Sequence, residues 1–258
     1  MSKTVYISVL EKEEDKGRQT FQTVTRYGLS AAGHFWSDNL AEMEWAAPIQ
    51  EMDTPDVGVW VVIGSVASFE AESVRIGLSL LALALQARKG LKFPIILCPD
   101  DGDLDKASLP TPLADADVVT SAAALGPKLA AKANIPVKPV DMEYHIDLHP
   151  IPKLGLWYAV GPGAGHAWKG AMLGVDAGEI NAHGVGPRGQ VPERCVLNYA
   201  MQGMKLTLGG TEFTAWAVQN ELDHKTSYYC RVHENPKTLV FGEFPDSEDA
   251  ELFTIRLA

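Results

Sequence analysis

Residues 56–101 read DVGVWVVIGSVASFEAESVRIGLSLLALALQARKGLKFPIILCPDD, and this stretch decides the fold class. Its first apolar run, residues 58–63, is almost uninterrupted, as in a strand that is covered on both faces of a parallel sheet. A second apolar run, residues 93–98, has the same character. The segment between them has helical periodicity, and a strand, helix and strand in this order predict parallel strands joined by a right-handed crossover.

The helix inside this stretch carries signals at both of its ends. Ser68 is suited to cap its beginning, and Glu70 and Glu72 place negative charge in its first turns. Arg88 and Lys89 place positive charge in its last turn, where the helix dipole favours it. Because apolar residues go almost all the way round this helix, we expect it to be buried by the sheet and by a second layer, with a partner subunit as one candidate.

The rest of the N-terminal half extends the same pattern. Residues 4–10 predict a first strand, and an amphipathic helix is predicted to run from about residue 21 until Gly33, followed by a short strand at residues 34–36. Another strand is predicted at residues 116–120. The alternation of strands and helices predicts a flavodoxin-like, doubly wound parallel sheet, which is an α/β fold.

The texture of the sequence changes after the segment IPVKPV, residues 135–140. Short alternating runs separated by glycine and proline follow, and two of these runs flank Gly209-Gly210, which is typical of a two-residue hairpin. The sequence therefore predicts two domains. We expect a flavodoxin-fold domain over residues 1–138 and a small antiparallel β sandwich or barrel over residues 139–258.

Composition limits the possible partners. The chain has 258 residues with a formal net charge of -11, which disfavours binding to nucleic acid. Its longest apolar run is far shorter than a membrane span needs, so no membrane association is expected. The three cysteines, Cys98, Cys195 and Cys230, lack a metal-binding spacing and lie in apolar runs, which predicts buried free thiols and a cytoplasmic protein.

The order of elements and the segments VYIS, S-x-x-S-F at residues 65–69 and PIIL make the N-terminal half resemble a Toll/interleukin-1 receptor (TIR) domain. This resemblance implies a five-stranded flavodoxin-like fold that assembles with copies of itself. In many bacterial members it also implies binding of NAD and cleavage of its glycosidic bond by a helix glutamate. Alignment on Ser65 and Phe69 puts this glutamate at Ile76 or Gly77, and neither position carries a carboxylate.

Glu72, one helical turn earlier, is the nearest substitute for the missing glutamate and is the predicted catalytic residue. A cruder similarity to nucleoside deoxyribosyltransferases, which share the fold, points to the same residue. Independently of any family, open parallel sheets bind ligands at the carboxyl ends of their strands, where the strand order reverses. Residues 9–15 and 64–72 would form this crevice, with Ser65, Ser68 and Glu70 as the predicted ligand-binding residues. The alternative is that Ser68 and Glu70 only cap the helix.

The segment DMEYHIDLHP offers a second candidate site. On a strand, its polar residues Glu143, His145, Asp147 and His149 would share one face, and imidazole and carboxylate groups can hold a divalent metal. We prefer a solvated strand face and assign no metal ligand. The glycine-rich segments at residues 160–165 and 185–189, which resemble one another weakly, are interpreted as turns.

Three functions are compatible with these patterns. The first is a nucleotide-binding or assembly component with a TIR-like domain, in signalling or defence, with a nucleotide or a dinucleotide such as NAD as ligand and with a homo-oligomer as the working form. The second is a non-catalytic structural or interaction protein. The third is a metal-dependent hydrolase centred on His145 and His149. The sequence does not specify a cofactor.

Overall fold

The computed structural model describes residues 2–244 and 251–258. The chain divides into two compact units, the first formed by residues 1–40 and 44–140 and the second by residues 41–43 and 141–258. Each unit has its own sheets. The first unit is α/β and the second consists of antiparallel sheets, so the predicted fold class is confirmed.

The first unit is built on a five-stranded parallel sheet with the order β2-β1-β3-β4-β5. Its strands are β1 (Thr4–Val9), β2 (Ser30–Phe35), β3 (Val57–Gly64), β4 (Ile95–Pro99) and β5 (Asp117–Val118). The helices of this unit are α1 (Glu14–Arg26), α2 (Ile49–Met52), α3 (Val66–Glu70), α4 (Glu72–Lys89) and α5 (Ala122–Ala133). Short 3-10 turns cover Glu44–Ala46, Lys106–Ser108 and Thr111–Leu113. β2 lies on one side of β1, and β3 lies on the other side. The strand order therefore reverses between β1 and β3.

The two faces of this sheet differ in chemistry. One face is apolar, with alternate residues of β1 and β3 packed against α1 and α5, including Val24 and Leu129. The other face carries a buried hydrogen-bonded chain in which the Trp60 indole donates to Ser8 Oγ (3.0 Å). Ser8 Oγ in turn lies 2.8 Å from His34 Nε2. Ser8 Oγ therefore links the Trp60 indole to the His34 ring.

The first helix begins and ends about seven residues earlier than the sequence predicts. It ends at Arg26, and Gly28 adopts a φ of 74°, which provides the left-handed turn into β2. Gly33, which we expected to close the helix, lies inside β2, where the backbone carbonyl of Ile7 occupies the space of a side chain. The prediction chose the wrong glycine because both fit a helix C-terminus in sequence.

The predicted long helix is divided into α3 and α4, which meet at Ala71 in an extended conformation. The cap is Ser65 and not Ser68, because the Ser65 side chain accepts a hydrogen bond from Ser68 N. The prediction that α4 is buried is confirmed: every residue from Ile76 to Leu85 is buried.

In the part of the second unit that the structure describes, there are eleven strands. They are β6 (Tyr144–Ile151), β7 (Gly155–Pro162), β8 (Ala167–Trp168), β9 (Ala171–Val175), β10 (Glu179–Pro187), β11 (Met201–Leu208), β12 (Thr211–Val218), β13 (Leu222–Asp223), β14 (Thr226–His233), β15 (Thr238–Glu243) and β16 (Leu252–Arg256). One sheet has the order β10-β14-β7-β6 and the other β11-β12-β9-β15-β16, with β13 and β8 as a separate pair. The predicted Gly209-Gly210 hairpin is confirmed between β11 and β12.

These two sheets pack face to face, which is the sandwich form of the prediction. The Tyr144 ring on β6 contacts Phe241 on β15 with ring centroids 5.0 Å apart. At the opposite side of the sandwich, His183 on β10 contacts Trp216 on β12 at 4.8 Å. Aromatic contacts therefore join the two sheets near both sides of the sandwich.

The prediction of three buried thiols is wrong for one of them. Cys98 and Cys230 are buried, whereas Cys195 is exposed in the segment between β10 and β11. Burial raises the pKa of the Cys98 thiol to about 12, so this group is protonated and unreactive at neutral pH.

Candidate functional site

The carboxyl ends of β1 and β3 are held together where the strand order reverses. Leu10 N donates to Ile63 O (2.8 Å), which extends the pairing of the two strands by one residue. A β-carbon at Gly64 would lie 2.8 Å from the Leu10 side chain, so only glycine permits this close approach. As a result, Glu11 and Ser65, the next residue on each strand, face each other at the edge of the sheet.

Glu11 is the centre of the hydrogen bonds at this edge. Its Oε1 accepts from Ser65 N (2.9 Å) and Ser65 Oγ (2.7 Å). The same oxygen accepts from Ser68 Oγ at 2.5 Å. One carboxylate oxygen thus receives three donors from the beginning of α3, and such charge-assisted bonds fix the orientation of the side chain.

The second oxygen of this carboxylate differs from the first in its hydrogen bonding. Glu11 Oε2 is buried and has no hydrogen-bond partner within residues 2–244 and 251–258. A buried polar atom without a partner costs free energy, typically about 1–3 kcal/mol and more for a charged group. A ligand that supplies a donor to this oxygen would therefore be stabilised.

The surroundings of Glu11 keep its carboxyl ionised. Burial acts to raise the pKa of this carboxyl, but the hydrogen bonds from Ser68 and Ser65 and the charge of Lys16 outweigh burial and lower it. Lys16 itself forms ion pairs with Glu13 (2.9 Å) and Asp100 (2.5 Å). At neutral pH the site contains a carboxylate that can accept hydrogen bonds, and it is not a proton donor.

Other carboxylates line the same edge. Asp101 follows β4 and accepts a hydrogen bond from Val66 N at 2.7 Å, and it thereby takes up a backbone donor at the beginning of α3. Asp100 and Glu13 lie beside Lys16. Because three carboxylates accompany Glu11 and one lysine, the edge has a negative local charge, which disfavours a phosphate group at this position.

The predicted site residues separate into two pairs. Ser65 and Ser68 both contact Glu11, so the structure brings these two predicted residues together at the carboxyl ends of β1 and β3. Glu70 is the last residue of α3 and Glu72 the first of α4, and both are exposed.

The position of the TIR glutamate is closed in this protein. Ile76 is buried in α4, and a β-carbon at Gly77 would lie 2.8 Å from Cζ2 of Trp36. A second contact, from Ser73 Oγ to Asp38 Oδ2 (2.6 Å), holds the segment after β2 against the first turn of α4. The sequence lacks a carboxylate at residues 76 and 77, and the packing around Gly77 leaves no space for one.

Glu11 is the residue that sequence reasoning missed. The crevice was expected to be walled by residues 9–15, but no residue of that wall was selected, because residues 11–15 are mostly charged and resemble any solvated turn. The available signal was position alone. Glu11 is the second residue after a strand that adjoins the point of reversal, and its serine donors are 54 and 57 residues further along the chain.

The histidines of β6 form a structural network instead of a metal site. His145 is buried, with Nδ1 2.9 Å from Pro162 O and Nε2 2.8 Å from Ser227 Oγ. The carbonyl can only accept, so Nδ1 carries the proton and Nε2 accepts from Ser227. Both ring nitrogens are thus engaged, and His149 lies 4.0 Å from Asp147. Within the described residues, no group of three or more metal-binding side chains is placed to hold an ion.

The glycine-rich segments that resemble one another flank this network. Gly186 on β10 lies beside Ser227 of β14, and Gly161 on β7 lies beside His145 of β6. A β-carbon at Gly161 would lie 2.6 Å from the His145 ring, so this glycine lets the imidazole cross β7 to reach Ser227. The segments lie at strand ends, and we had interpreted both as turns only.

Searches of protein-family models and of curated proteins each return no match to this chain. In the parts of the chain that the structure describes, the helices also lack the combination of length and apolar character that a membrane span requires. The assignment of function therefore depends on the geometry of the Glu11 site.

Proposed function

We propose that the first unit binds a nucleotide or dinucleotide through its ribose at the crevice between β1 and β3. The observation that carries this proposal is the Glu11 carboxylate, which is ionised and oriented by three donors at one oxygen and lacks a donor at the other. In open α/β sheets, an acidic side chain that accepts the ribose hydroxyl is a recurrent element of nucleotide sites. Glu11 replaces Glu72 as the central residue of the proposed site.

The charge of the crevice determines which part of the ligand faces Glu11. Glu13, Asp100 and Asp101 would repel a phosphate, whereas a ribose or a base is neutral and offers hydrogen-bond donors. In this proposal the nucleoside portion enters the crevice and the phosphates point away from it. Ser65 and Ser68 hold the carboxylate in place, and Glu70 and Glu72 remain outside.

The proposed activity is binding without cleavage of the glycosidic bond. TIR-like cleavage of NAD uses a glutamate at the position of Ile76 or Gly77, and Trp36 fills the space beside Gly77. A role in signalling or defence remains a hypothesis that the resemblance implies.

The test is calorimetric titration with adenosine, AMP and NAD, with NAD consumption followed in the same samples. We expect adenosine to bind at least as tightly as AMP at low salt, and NAD to bind without being consumed. Glu11→Gln should weaken binding by about tenfold or more, since it removes the charge from the acceptor. Glu72→Gln is the matched control and should bind like the wild type.

Two further measurements separate loss of the site from loss of the fold. The melting temperature of each variant shows whether it is folded, and Ser68→Ala removes one donor to Glu11 while the Ser65 cap is kept. If none of the three ligands binds at millimolar concentration, or if Glu11→Gln binds as tightly as the wild type, the proposal is wrong. Consumption of NAD that Glu72→Gln abolishes would restore Glu72 as the catalytic residue.

Self-association is the second candidate function, and one observation favours it. β2 is an edge strand of the five-stranded sheet, and its Phe35 is 44% exposed, which is unusual for a large apolar side chain. We propose that copies of the chain meet at this edge. Light scattering at increasing protein concentration should then detect an oligomer that Phe35→Ser dissociates, whereas a wild-type protein that stays monomeric at about 100 μM, a concentration well above typical affinities of stable dimers, would refute it.

A further inference from the structure

A groove with a positively charged rim lies at the opposite edge of the same sheet, where the strands begin. We call it the amino-edge groove, and its volume is about 410 Å³. Lys3, which precedes β1, and Lys89, the last residue of α4, are on its rim. Its apolar lining includes the exposed Ile135 and the buried Val57 and Phe93. It is formed by residues of the first unit alone.

The two lysines are held together by the backbone. The Lys89 ammonium donates to Thr54 O (2.8 Å) and lies 5.4 Å from the centre of the Phe93 ring. The Lys3 ammonium donates to Pro55 O (3.0 Å). Within residues 2–244 and 251–258, neither ammonium has a carboxylate within ion-pair distance, so each retains donors for another acceptor.

The carboxylates near Lys89 do not fully compensate the positive charges around it. Burial lowers the pKa of Lys89, and the like charge of Lys3 lowers it further, whereas Asp53 and Asp56 act to raise it. Asp56 is already engaged by Thr4 Oγ1 (2.8 Å), and Asp53 lies 3.9 Å from Arg88 Nε. With three cations and two carboxylates, this rim has a net positive charge in a chain whose net charge is -11.

The helix dipole explains Arg88 and Lys89 at the end of α4, but it does not explain Lys3. Lys3 is brought beside Lys89 by the fold, because the start of β1 and the end of α4 lie at the same edge. A neighbouring groove is lined by Lys92, Lys132 and Lys138. It differs because Lys92 pairs with Asp115 (2.6 Å) and Lys132 with Asp117 (2.8 Å), so carboxylates already compensate two of its three ammonium groups.

We infer that the amino-edge groove binds a phosphate monoester with an apolar body, the phosphate lying between Lys3 and Lys89 and the body against Ile135. Lysine ammonium groups bind phosphate as point charges. Ile135 is 57% exposed and so provides apolar surface that the protein leaves uncovered. This site is separate from the Glu11 crevice and does not depend on the function proposed for it.

The experiment is calorimetric titration of the full chain with phenyl phosphate, inorganic phosphate and phenol at low salt. Phenyl phosphate should bind most tightly, and its affinity should fall as salt is added. Lys89→Gln and Lys3→Gln should each weaken binding by about tenfold, the effect of losing one charge-assisted contact. Lys92→Gln, which removes a nearby lysine already paired with Asp115, should change the affinity less than about twofold on the same scale.

A second readout reports directly on Lys89. Because a bound phosphate would raise the pKa of this ammonium, binding at pH 9–10, near the ordinary lysine pKa of about 10.4, should take up a proton in the wild type but not in Lys89→Gln. The inference is wrong if phenyl phosphate does not bind at about 10 mM, well beyond the affinity of a useful site. It is also wrong if phenol binds equally well or if Lys92→Gln weakens binding as much as Lys89→Gln.

Discussion

The indole of Trp36 lies over Gly77, with its Cζ2 2.8 Å from the point where a β-carbon at that position would stand. The two residues belong to the segment after β2 and to the buried part of α4, so the contact joins the edge of the sheet to its main covering helix. The TIR resemblance places its glutamate at this position or at the preceding residue. In this chain the space holds an aromatic ring, and any carboxylate chemistry at this end of the sheet must use another residue.

The first prediction concerns the restoration of the family glutamate. Gly77→Glu should destabilise the protein by about 3 kcal/mol or more, because it overpacks a buried contact and buries a charge without a partner. Chemical denaturation measures the loss. The control is Ala67→Glu, an exposed position in α3, which should change the free energy of unfolding by less than about 0.5 kcal/mol. If Gly77→Glu is as stable as the wild type, Trp36 is not held against α4.

A second prediction tests the burial of α4. Leu81 is fully buried, so Leu81→Ala should lower the free energy of unfolding by about 2–5 kcal/mol through lost transfer energy and a residual cavity. Arg18→Ala, on the exposed side of α1, serves as the reference and should have an effect within about 0.5 kcal/mol. A loss below about 1 kcal/mol for Leu81→Ala would mean that this face of α4 is loosely packed.

The parts of the fold that were predictable are those in which the signal is local. The apolar run of β3 and the apolar surface of α4 can each be recognised from a short stretch of sequence. Burial on every side leaves almost no polar positions in these elements. The hairpin at Gly209-Gly210 is equally local, since two residues fix the turn. These features needed no knowledge of the rest of the chain.

The parts that failed depend on distant contacts. Residues 195–201, CVLNYAM, are one of the short runs from which the β-rich domain is predicted. Yet Val196 and Tyr199 are each 79% exposed, and only the last residue of this segment begins a strand. A strand requires a neighbouring strand to pair with, and composition does not specify one. The role of Glu11 at the candidate site also depends on distant residues, because it arises only when β1 and β3 become neighbours.

A third prediction tests the glycine that lets His145 cross β7. Gly161→Ala would place a β-carbon 2.6 Å from the His145 ring and 2.7 Å from Thr226 O. We expect a loss of about 1–3 kcal/mol from overpacking, since the backbone carbonyl cannot move away easily. Thermal unfolding measures this loss. The change must also disturb the His145 imidazole resonances in NMR spectra; an unshifted ring would show that Gly161 is not what accommodates it.

The last prediction is a pH dependence of stability that originates at His145. Burial, followed by the charge of Arg188, lowers the pKa of this histidine to about 4 in the folded protein. In the unfolded chain its pKa is near the ordinary value of about 6.5. Above this value His145 is neutral in both states, and stability is unaffected. As the pH falls from about 6.5 to about 4, only the unfolded chain takes up the proton, so the free energy of unfolding decreases, by about 3 kcal/mol in total.

Chemical denaturation between pH 7 and pH 4 tests this dependence. His145→Gln should be less stable than the wild type at pH 7, because Ser227 loses its acceptor, but it should lose less stability on acidification. His34 and His183, whose pKa values are also lowered, titrate in both proteins, so the difference between the two curves isolates His145. His166→Gln, at an exposed histidine, should retain the wild-type slope. If the slope of His145→Gln equals that of the wild type, the histidine is not buried in its neutral form.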